Sequence, residues 1–381
     1  MTPRERVLCA LNHEEPDRVP LFVGTSGVTT LLGPAYERLK THLGIQGGPP
    51  RWITKALQYA RLDEEVLVRL GSDGRPLLPG PATSISSCEI GPDCIVDGWG
   101  VTWRKAPESL YCEPTDPPLA NATIDDLERY PWPNVADPAR FTGLAEQAKA
   151  IQQAGYATVC MSSINLLEQA CLLRGMENIL TDILMEKEFF AALHAKIRDL
   201  ALDSIREVSR QFGQSIDVFV ISDDLGSQEA ALISPLVYRE MLKPHHAAVI
   251  AAIKKGTTAR VFFHSDGNIF SLLGDLVDVG VDIINPVQTS AGEMGDTARL
   301  KREFGRHLTF NGGIDTRWVL PRGSVEDVRA EVRRRIHDLA PGGGYIASAV
   351  HCIQPDVPPE NIVAMCEAVR EYGVYPLPGA K

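Results

Sequence analysis

Arg260-Val261-Phe262-Phe263-His264-Ser265-Asp266-Gly267-Asn268 decides how this chain folds. A short Val/Phe run too brief for a helix turns polar at His264, and Gly267 supplies a turn before Ile269-Phe270-Ser271-Leu272 opens a helical stretch. A run of this kind suits a strand covered on both faces of its sheet. The same sequence of events recurs at 158–162, 217–222, 282–286, 308–312 and 345–349, with helical segments between, which is the signature of parallel βαβ units. Upstream, the turn Glu15-Pro16-Asp17 precedes an apolar strand at 19–23, and a further strand is expected at 75–78. Eight strands give an α/β fold, a (β/α)8 TIM barrel built as one domain over residues 1–381.

The rest of the chain fits around that barrel. Thr2-Pro3-Arg4-Glu5 places a cap and a first-turn proline at the start of a helix ending near Asn12. Residues 35–70 are expected to be mainly helical. From 79 to 140 prolines and short alternations such as Cys94-Ile95-Val96-Asp97-Gly98-Trp99-Gly100-Val101-Thr102-Trp103 indicate an inserted β-hairpin and long loop, placed to cover the barrel mouth.

Composition excludes several functions. Of 381 residues, 44% are hydrophobic and 23% charged, and no apolar run approaches the roughly 18 to 20 residues that span a bilayer, so a soluble protein without membrane association is expected. The charged start Met1-Thr2-Pro3-Arg4-Glu5-Arg6-Val7 has no apolar signal segment, which points to the cytoplasm. A net charge of -11 disfavours a nucleic-acid surface. Eight cysteines without a C-x-x-C pair argue for reduced, buried thiols over a zinc ribbon or redox dithiol. The sequence does not fix the oligomeric state, and a homodimer is compatible with it.

Barrel enzymes carry their chemistry where strands run into the following loops. Those positions are polar throughout: Thr25 and Ser26, then Ser162, Ser163 and Asn165, then Ser222, Asp223 and Asp224. They continue with His264, Ser265 and Asp266, with Asn285 and Gln288, with Asn311, and with His351, Cys352 and Gln354. Thr25, Ser26, Asn165, Asn285, Gln288 and Asn311 are the candidates for substrate binding. His264 and Asp266 form an H-x-D pair that reaches one ion if the chain turns at Gly267, and His351 from a neighbouring strand end completes a three-ligand zinc site with an open position. The alternative is that both histidines are satisfied by hydrogen bonds and Asp266 caps the next helix. Asp223 and Asp224 are candidate catalytic groups, one of which could orient a ligand histidine or act as a base; a helix cap or an arginine salt bridge is the plainer role.

Other features carry less. Asn311-Gly312-Gly313-Ile314-Asp315 and Pro341-Gly342-Gly343-Gly344 lack a phosphate-binding fingerprint and suit turns, the second lying at the opposite barrel face. His245 and His246 suit surface or core positions, and Glu168 either lines the mouth or lies on a solvated helix face.

Longer motifs run through the same residues: Thr2 to Val7 with Pro16-Asp17-Arg18-Val19-Pro20, Phe263-His264-Ser265-Asp266-Gly267-Asn268, Asn285-Pro286-Val287-Gln288, Asn311-Gly312-Gly313-Ile314-Asp315, and Ile353-Gln354-Pro355-Asp356-Val357-Pro358-Pro359-Glu360-Asn361. In these the chain resembles the uroporphyrinogen decarboxylase superfamily over essentially its whole length. The resemblance implies a (β/α)8 barrel and one of two activities, cofactor-free porphyrinogen decarboxylation or zinc-dependent methyl transfer involving a corrinoid protein. The decarboxylases carry an arginine-rich segment after the first strand that holds the substrate carboxylates. Here that segment is Gly24-Thr25-Ser26-Gly27-Val28-Thr29-Thr30, without arginine, which disfavours a polycarboxylate. The methyltransferases that serve thiols such as coenzyme M carry H-x-C and a later cysteine at the zinc positions. This chain departs with Asp266 at the second position and His351, or the neighbouring Cys352, near the third.

A harder donor set leaves zinc a stronger Lewis acid towards oxygen. The expectation is a methyltransferase that demethylates a small methoxylated compound, for example an aryl methyl ether, and hands the methyl group to a corrinoid. Because no D-x-H-x-x-G cobalamin motif occurs in the chain, the corrinoid must arrive on a partner protein. The competing expectations are a metal-free decarboxylase using Asp223 or Asp224, and a barrel that binds a ligand without turning it over.

Overall fold

The computed structural model of the chain describes residues 1–46, 48–80, 88–91, 93–161 and 164–377, the side chains of 88–90 excepted. Seven strands form one sheet: β1 (Gly74–Leu77), β2 (Ala157–Met161), β3 (Val218–Ser222), β4 (Arg260–His264), β5 (Ile283–Asn285), β6 (Thr309–Ile314) and β7 (Tyr345–Ala349). They lie side by side in chain order, and every pairing is parallel. Helices fill the crossovers, as parallel pairing demands.

The eighth place is taken by residues 19–23, expected as a regular strand but found as an irregular one. Leu21 bridges Ala347 of β7, with Phe22 N donating to Ala347 O at 2.9 Å and Ala347 N to Pro20 O at 2.8 Å. On the β1 side Asp73 N donates to Leu21 O, while the Asp73 carboxylate accepts Leu21 N at 2.8 Å. Pro20 has no N–H to give a ladder, and the Asp73 side chain takes a donor that a neighbouring carbonyl would otherwise accept. The segment still closes β7 against β1, which makes the architecture a (β/α)8-type barrel.

Side-chain alternation places the site. Val159, Val218, Val220, Phe262, Ile283 and Ile346 pack with Phe22 inside the barrel, and Val7 and Leu11 of the capped helix Pro3–Leu11 join this interior cluster. Val261 and Phe263 belong instead to the outer core shared with the helices. Since successive strand side chains change face, the next inward positions are Met161, Ser222, His264, Asn285 and Ser348. The interior therefore turns from apolar to polar at the C-terminal strand ends, with His264 in register with Ser222 and Asn285.

Two expectations about the periphery need correction. Residues 35–70 are not mainly helical: between helices Gly33–Leu43 and Glu64–Leu70 an antiparallel ribbon pairs Arg51–Thr54 with Tyr59–Arg61. Gly44 in the left-handed conformation stops the first helix, and Pro49-Pro50 prevents its resumption. The excursion is larger than one hairpin: Cys88–Gly91, Cys94–Val96, Thr102–Arg104 and Glu113–Asp116 form a four-stranded antiparallel sheet. Its central turn is organised by Asp97, which accepts from Trp99 N, Val101 N and Trp103 Nε1. Among the described residues no helix is long and apolar enough to cross a membrane, and the seven cysteines with described side chains are free thiols.

Candidate metal centre and active site

His264 closes β4, almost fully buried, and its ring orientation is set from behind. Asn311 Nδ2 donates to the Ile346 carbonyl at 3.0 Å, Asn285 Nδ2 donates to Asn311 Oδ1 at 2.7 Å, and His264 Nδ1 lies 2.5 Å from Asn285 Oδ1. A backbone carbonyl can only accept, so each amide in this relay has one orientation. The proton of neutral His264 is thereby held on Nδ1, and Nε2 presents its lone pair to the mouth.

Two further donors face that lone pair. Asp266 Oδ1 is 3.9 Å from His264 Nε2, and Asp266 Oδ2 is 3.7 Å from His351 Nε2. One ligand atom from each of His264, Asp266 and His351 lies within 4.8 Å of the others. Donors around a tetrahedral zinc ion at about 2.1 Å are about 3.4 Å apart, so the widest pair of this set would have to close by about 1.4 Å for all three to reach one ion. Asp266 Oδ1 is moreover buried without a hydrogen-bond partner, an expensive state for a carboxylate oxygen that a cation would relieve. On donor chemistry and on this orphaned oxygen, the residues fit zinc.

The surrounding bonds hold the three donors in place. Asp266 N donates to Asp224 Oδ1 at 2.9 Å, and Gly267 N to Gln288 Oε1 at 2.6 Å. Gly267 has φ +87°, and a Cβ there would sit 2.3 Å from the Gly226 carbonyl carbon, so the loops after β3 and β4 cross with no room for a side chain. Cys352 Sγ lies 3.1 Å from His351 Nδ1, on the side of the ring away from Asp266. The cysteine backs the histidine. Burial lowers the His351 imidazole, but Cys352 and Asp266 more than offset this and leave it raised.

The paired acids after β3 have different surroundings. Asp223 is buried and used up: it accepts from Leu166 N at 3.0 Å, Glu168 N at 2.9 Å and His246 Nε2 at 2.8 Å, capping the start of helix Leu167–Arg174. It orients His246, which also contacts Tyr238 Oη, and neither is among the metal-facing donors. Asp224 is half-exposed, with Oδ1 3.9 Å from His264 Nε2. Glu168, in the first turn of that helix, joins it at the mouth. Burial, then Asp224 and Asp223, raise its carboxyl to about 7, against the downward pull of an Asn165 Nδ2 bond and with a further push from Asp266.

A sequence profile described as Uroporphyrinogen decarboxylase (URO-D) matches residues 111–372, well over half of the chain. The chain belongs to the uroporphyrinogen decarboxylase family. Among curated relatives, methylcobamide:CoM methyltransferase MtaA of Methanosarcina barkeri is 26% identical over 212 residues, covering 53% of this chain and 58% of that protein. A uroporphyrinogen decarboxylase of Legionella pneumophila subsp. pneumophila is 26% identical over 200 residues, covering 52% of each. The chain thus spans about half the length of the curated relatives it matches. The solved structure of a methyltransferase from Methanosarcina mazei superposes with a TM-score of 0.67 at 19% identity, covering 98% of this chain and 99% of that one, which shows the shared fold.

In this uroporphyrinogen decarboxylase family member the candidate substrate-binding residues separate into groups. Asn285 and Asn311 are fully buried and spend their amides on the relay behind His264. Thr25 and Ser26 are buried, their hydroxyls 2.9 and 3.1 Å from Thr29 Oγ1. Gln288 braces Gly267, and Asn165 holds Glu168 at 2.5 Å. Ser162 and Ser163 lie outside the described residues. Gly312, at φ +113° with space for a Cβ only 1.8 Å from Pro286 O, is a close-approach glycine. Tyr59 was not anticipated: its ring lies 6.5 Å from that of His351, edge to face, carried there by the ribbon that takes the place of the expected helix. Ser348, also unanticipated, has a buried hydroxyl without a hydrogen-bond partner in the polar layer.

Proposed function

We propose that this chain is a zinc-dependent methyltransferase that demethylates a small methoxylated compound, such as an aryl methyl ether, and passes the methyl group to a corrinoid carried by a separate protein. The observation that carries the proposal is the convergence of His264 Nε2, the orphaned Asp266 oxygen and His351 Nε2 at the barrel mouth. Bound there, zinc would supply a Lewis acid for the ether oxygen. Asn285 holds His264 with its lone pair outward, Cys352 backs His351, and Asp224 and Gln288 pin the Asp266-Gly267 turn. A carboxylate with two imidazoles favours oxygen as the partner atom over sulfur. We take residues 1–381 as one cytoplasmic barrel unit with 79–140 as its insertion.

The decarboxylase alternative needs cations for its carboxylates. The mouth is acidic instead: among the described residues no lysine or arginine forms an ion pair with Asp224, Asp266 or Glu168, and Thr25, Ser26 and Thr29 close on one another where an arginine-rich segment would stand. The test is methyl transfer from a panel of methyl ethers to free cob(I)alamin, followed by the colour change of the cobalt. Zinc-dependent methylation supports the proposal; carbon dioxide release from carboxylated substrates by zinc-free protein, without methylation, would replace it with decarboxylation.

A further inference from the structure

Past the ends of β3 and β4 the two segments stay bonded residue by residue. Asp223 N donates to His264 O at 2.9 Å, Leu225 N to Ser265 Oγ at 2.9 Å, Asp266 N to Asp224 Oδ1 at 2.9 Å and Asn268 N to Ser227 O at 2.7 Å. Residues 223–227 thus hold the backbone that carries His264 and Asp266, and Asp223 makes the first of these bonds. The Asp223 side chain lies on the helix side of the sheet, where Oδ1 accepts from Glu168 N at 2.9 Å and Oδ2 from Leu166 N at 3.0 Å and His246 Nε2 at 2.8 Å. Donating to that carboxylate, His246 carries its proton on Nε2, and Nδ1 accepts from Tyr238 Oη at 3.1 Å. All three side chains are buried, so none can exchange its partner for bulk water.

Tyr238 and His246 are eight residues apart, nearly one more than two α-helical turns contain. Tyr238–Leu242 form a π-helical turn, whose wider coil takes up the excess and sets both rings on one face before the helix Lys243–Gly256 begins. The two rings lie 5.7 Å apart, and that of His246 meets Phe263, the neighbour of His264, edge to face at 5.2 Å. Single π turns of this kind are frequent at functional sites. Resting on the zinc reading of the mouth, we propose that Tyr238 and His246 are positioning residues of the metal centre. Through Asp223 they fix residues 223–227, and through the bonds of that segment they fix His264 relative to Asp266; neither is itself a metal-facing donor. The same carboxylate caps helix Leu167–Arg174, so one buried relay ties two loops of the mouth to the helix layer. Loss of the imidazole leaves Asp223 one donor short in a dry site, and the segment shifts to recover a partner.

The experiment measures zinc affinity by chelator competition, and the visible absorption of cobalt(II)-substituted protein, whose ligand-field bands report donor geometry. The proteins are wild type, Tyr238→Phe, His246→Leu, His246→Gln and Ile253→Ala. The last removes buried apolar volume further along the same helix, outside the relay, and so controls for lost stability alone. Zinc affinity is expected to fall about tenfold in His246→Leu and about threefold in Tyr238→Phe, at and below the lower end for direct partners of ligand histidines. The cobalt bands shift in both. His246→Gln, whose amide nitrogen can stand where Nε2 stood, recovers most of the affinity, and Ile253→Ala binds metal as the wild type does. If His246→Leu does not fold, Tyr238→Phe set against Ile253→Ala decides. Wild-type affinity and bands in the relay variants, or an equal change in Ile253→Ala, would overturn the positioning role while leaving the zinc reading in place. A wild type that takes up neither zinc nor cobalt would overturn both.

Discussion

His264 Nδ1 and Asn285 Oδ1 lie 2.5 Å apart, and this contact decides which nitrogen of the histidine faces the barrel mouth. Asn285→Ala removes the acceptor and frees the ring to rotate or change tautomer. Outer partners of ligand histidines typically contribute 10- to 100-fold in metal affinity. Zinc affinity, measured by competition with a chromophoric chelator, should fall by about that factor. An unchanged affinity would mean that the relay through Asn311 to the Ile346 carbonyl does not orient a ligand.

Gly267 couples stability to the same site. With φ +87° and backbone of Gly226 where a Cβ would stand, Gly267→Ala must move one of two crossing loops. A loss of about 2 kcal/mol or more is expected in urea unfolding, from left-handed strain plus the clash. Because Asp266 precedes this turn, zinc affinity should fall in parallel. Wild-type stability in the variant would show that the crossing relaxes freely.

In the proposed zinc site Asp266 would set the hardness of the donor set. Asp266→Cys should retain zinc but shift the preference from ethers towards thioethers and thiols, since a thiolate ligand makes the ion a weaker acid for oxygen. The ratio of kcat/KM for an ether and its thioether analogue is the measure. If that ratio does not move, the aspartate is not what selects oxygen.

His194 makes an independent test in the outer core. It is fully buried, stacks on Phe190 at 3.9 Å and bonds the Phe190 carbonyl through Nδ1, with Nε2 unsatisfied. Burial lowers the imidazole to about 4 against the pull of the Phe190 carbonyl, and His245 lowers it further. The unfolded chain takes up this proton near the ordinary value of about 6.5. Stability is therefore complete above that pH and declines as the pH falls towards 4, by an amount on the order of 3 kcal/mol. His194→Phe should flatten this decline when urea midpoints at about pH 7.5 and about pH 4.5 are compared. Equal slopes for the two proteins would contradict it.

Much of this was legible in the sequence. The run Val261 to His264 and its counterparts gave the parallel strands because strands covered on both faces must be short and apolar. His264, Asp266 and His351 could be grouped because barrel strand ends share one face. Where the reading failed, the deciding interaction was tertiary. The irregular segment 19–23 depends on the Asp73 carboxylate taking Leu21 N, which no local pattern announces. Asn285 and Asn311 occupy strand ends, and no local pattern announces that their amides form the relay to His264. Tyr59 was hidden in a stretch with helical composition, although Gly44 and Pro49-Pro50 marked the break.

The proposed methyl transfer turns on zinc held by His264, Asp266 and His351 at the mouth of the barrel. Metal analysis of protein purified without chelator, for the wild type and for Asp266→Ala, tests it most directly. Equimolar zinc is expected in the wild type and its loss in the variant, with the fold intact by circular dichroism. A zinc-free wild type that gains no zinc on incubation with the metal, or a variant that keeps its full zinc content, would contradict it.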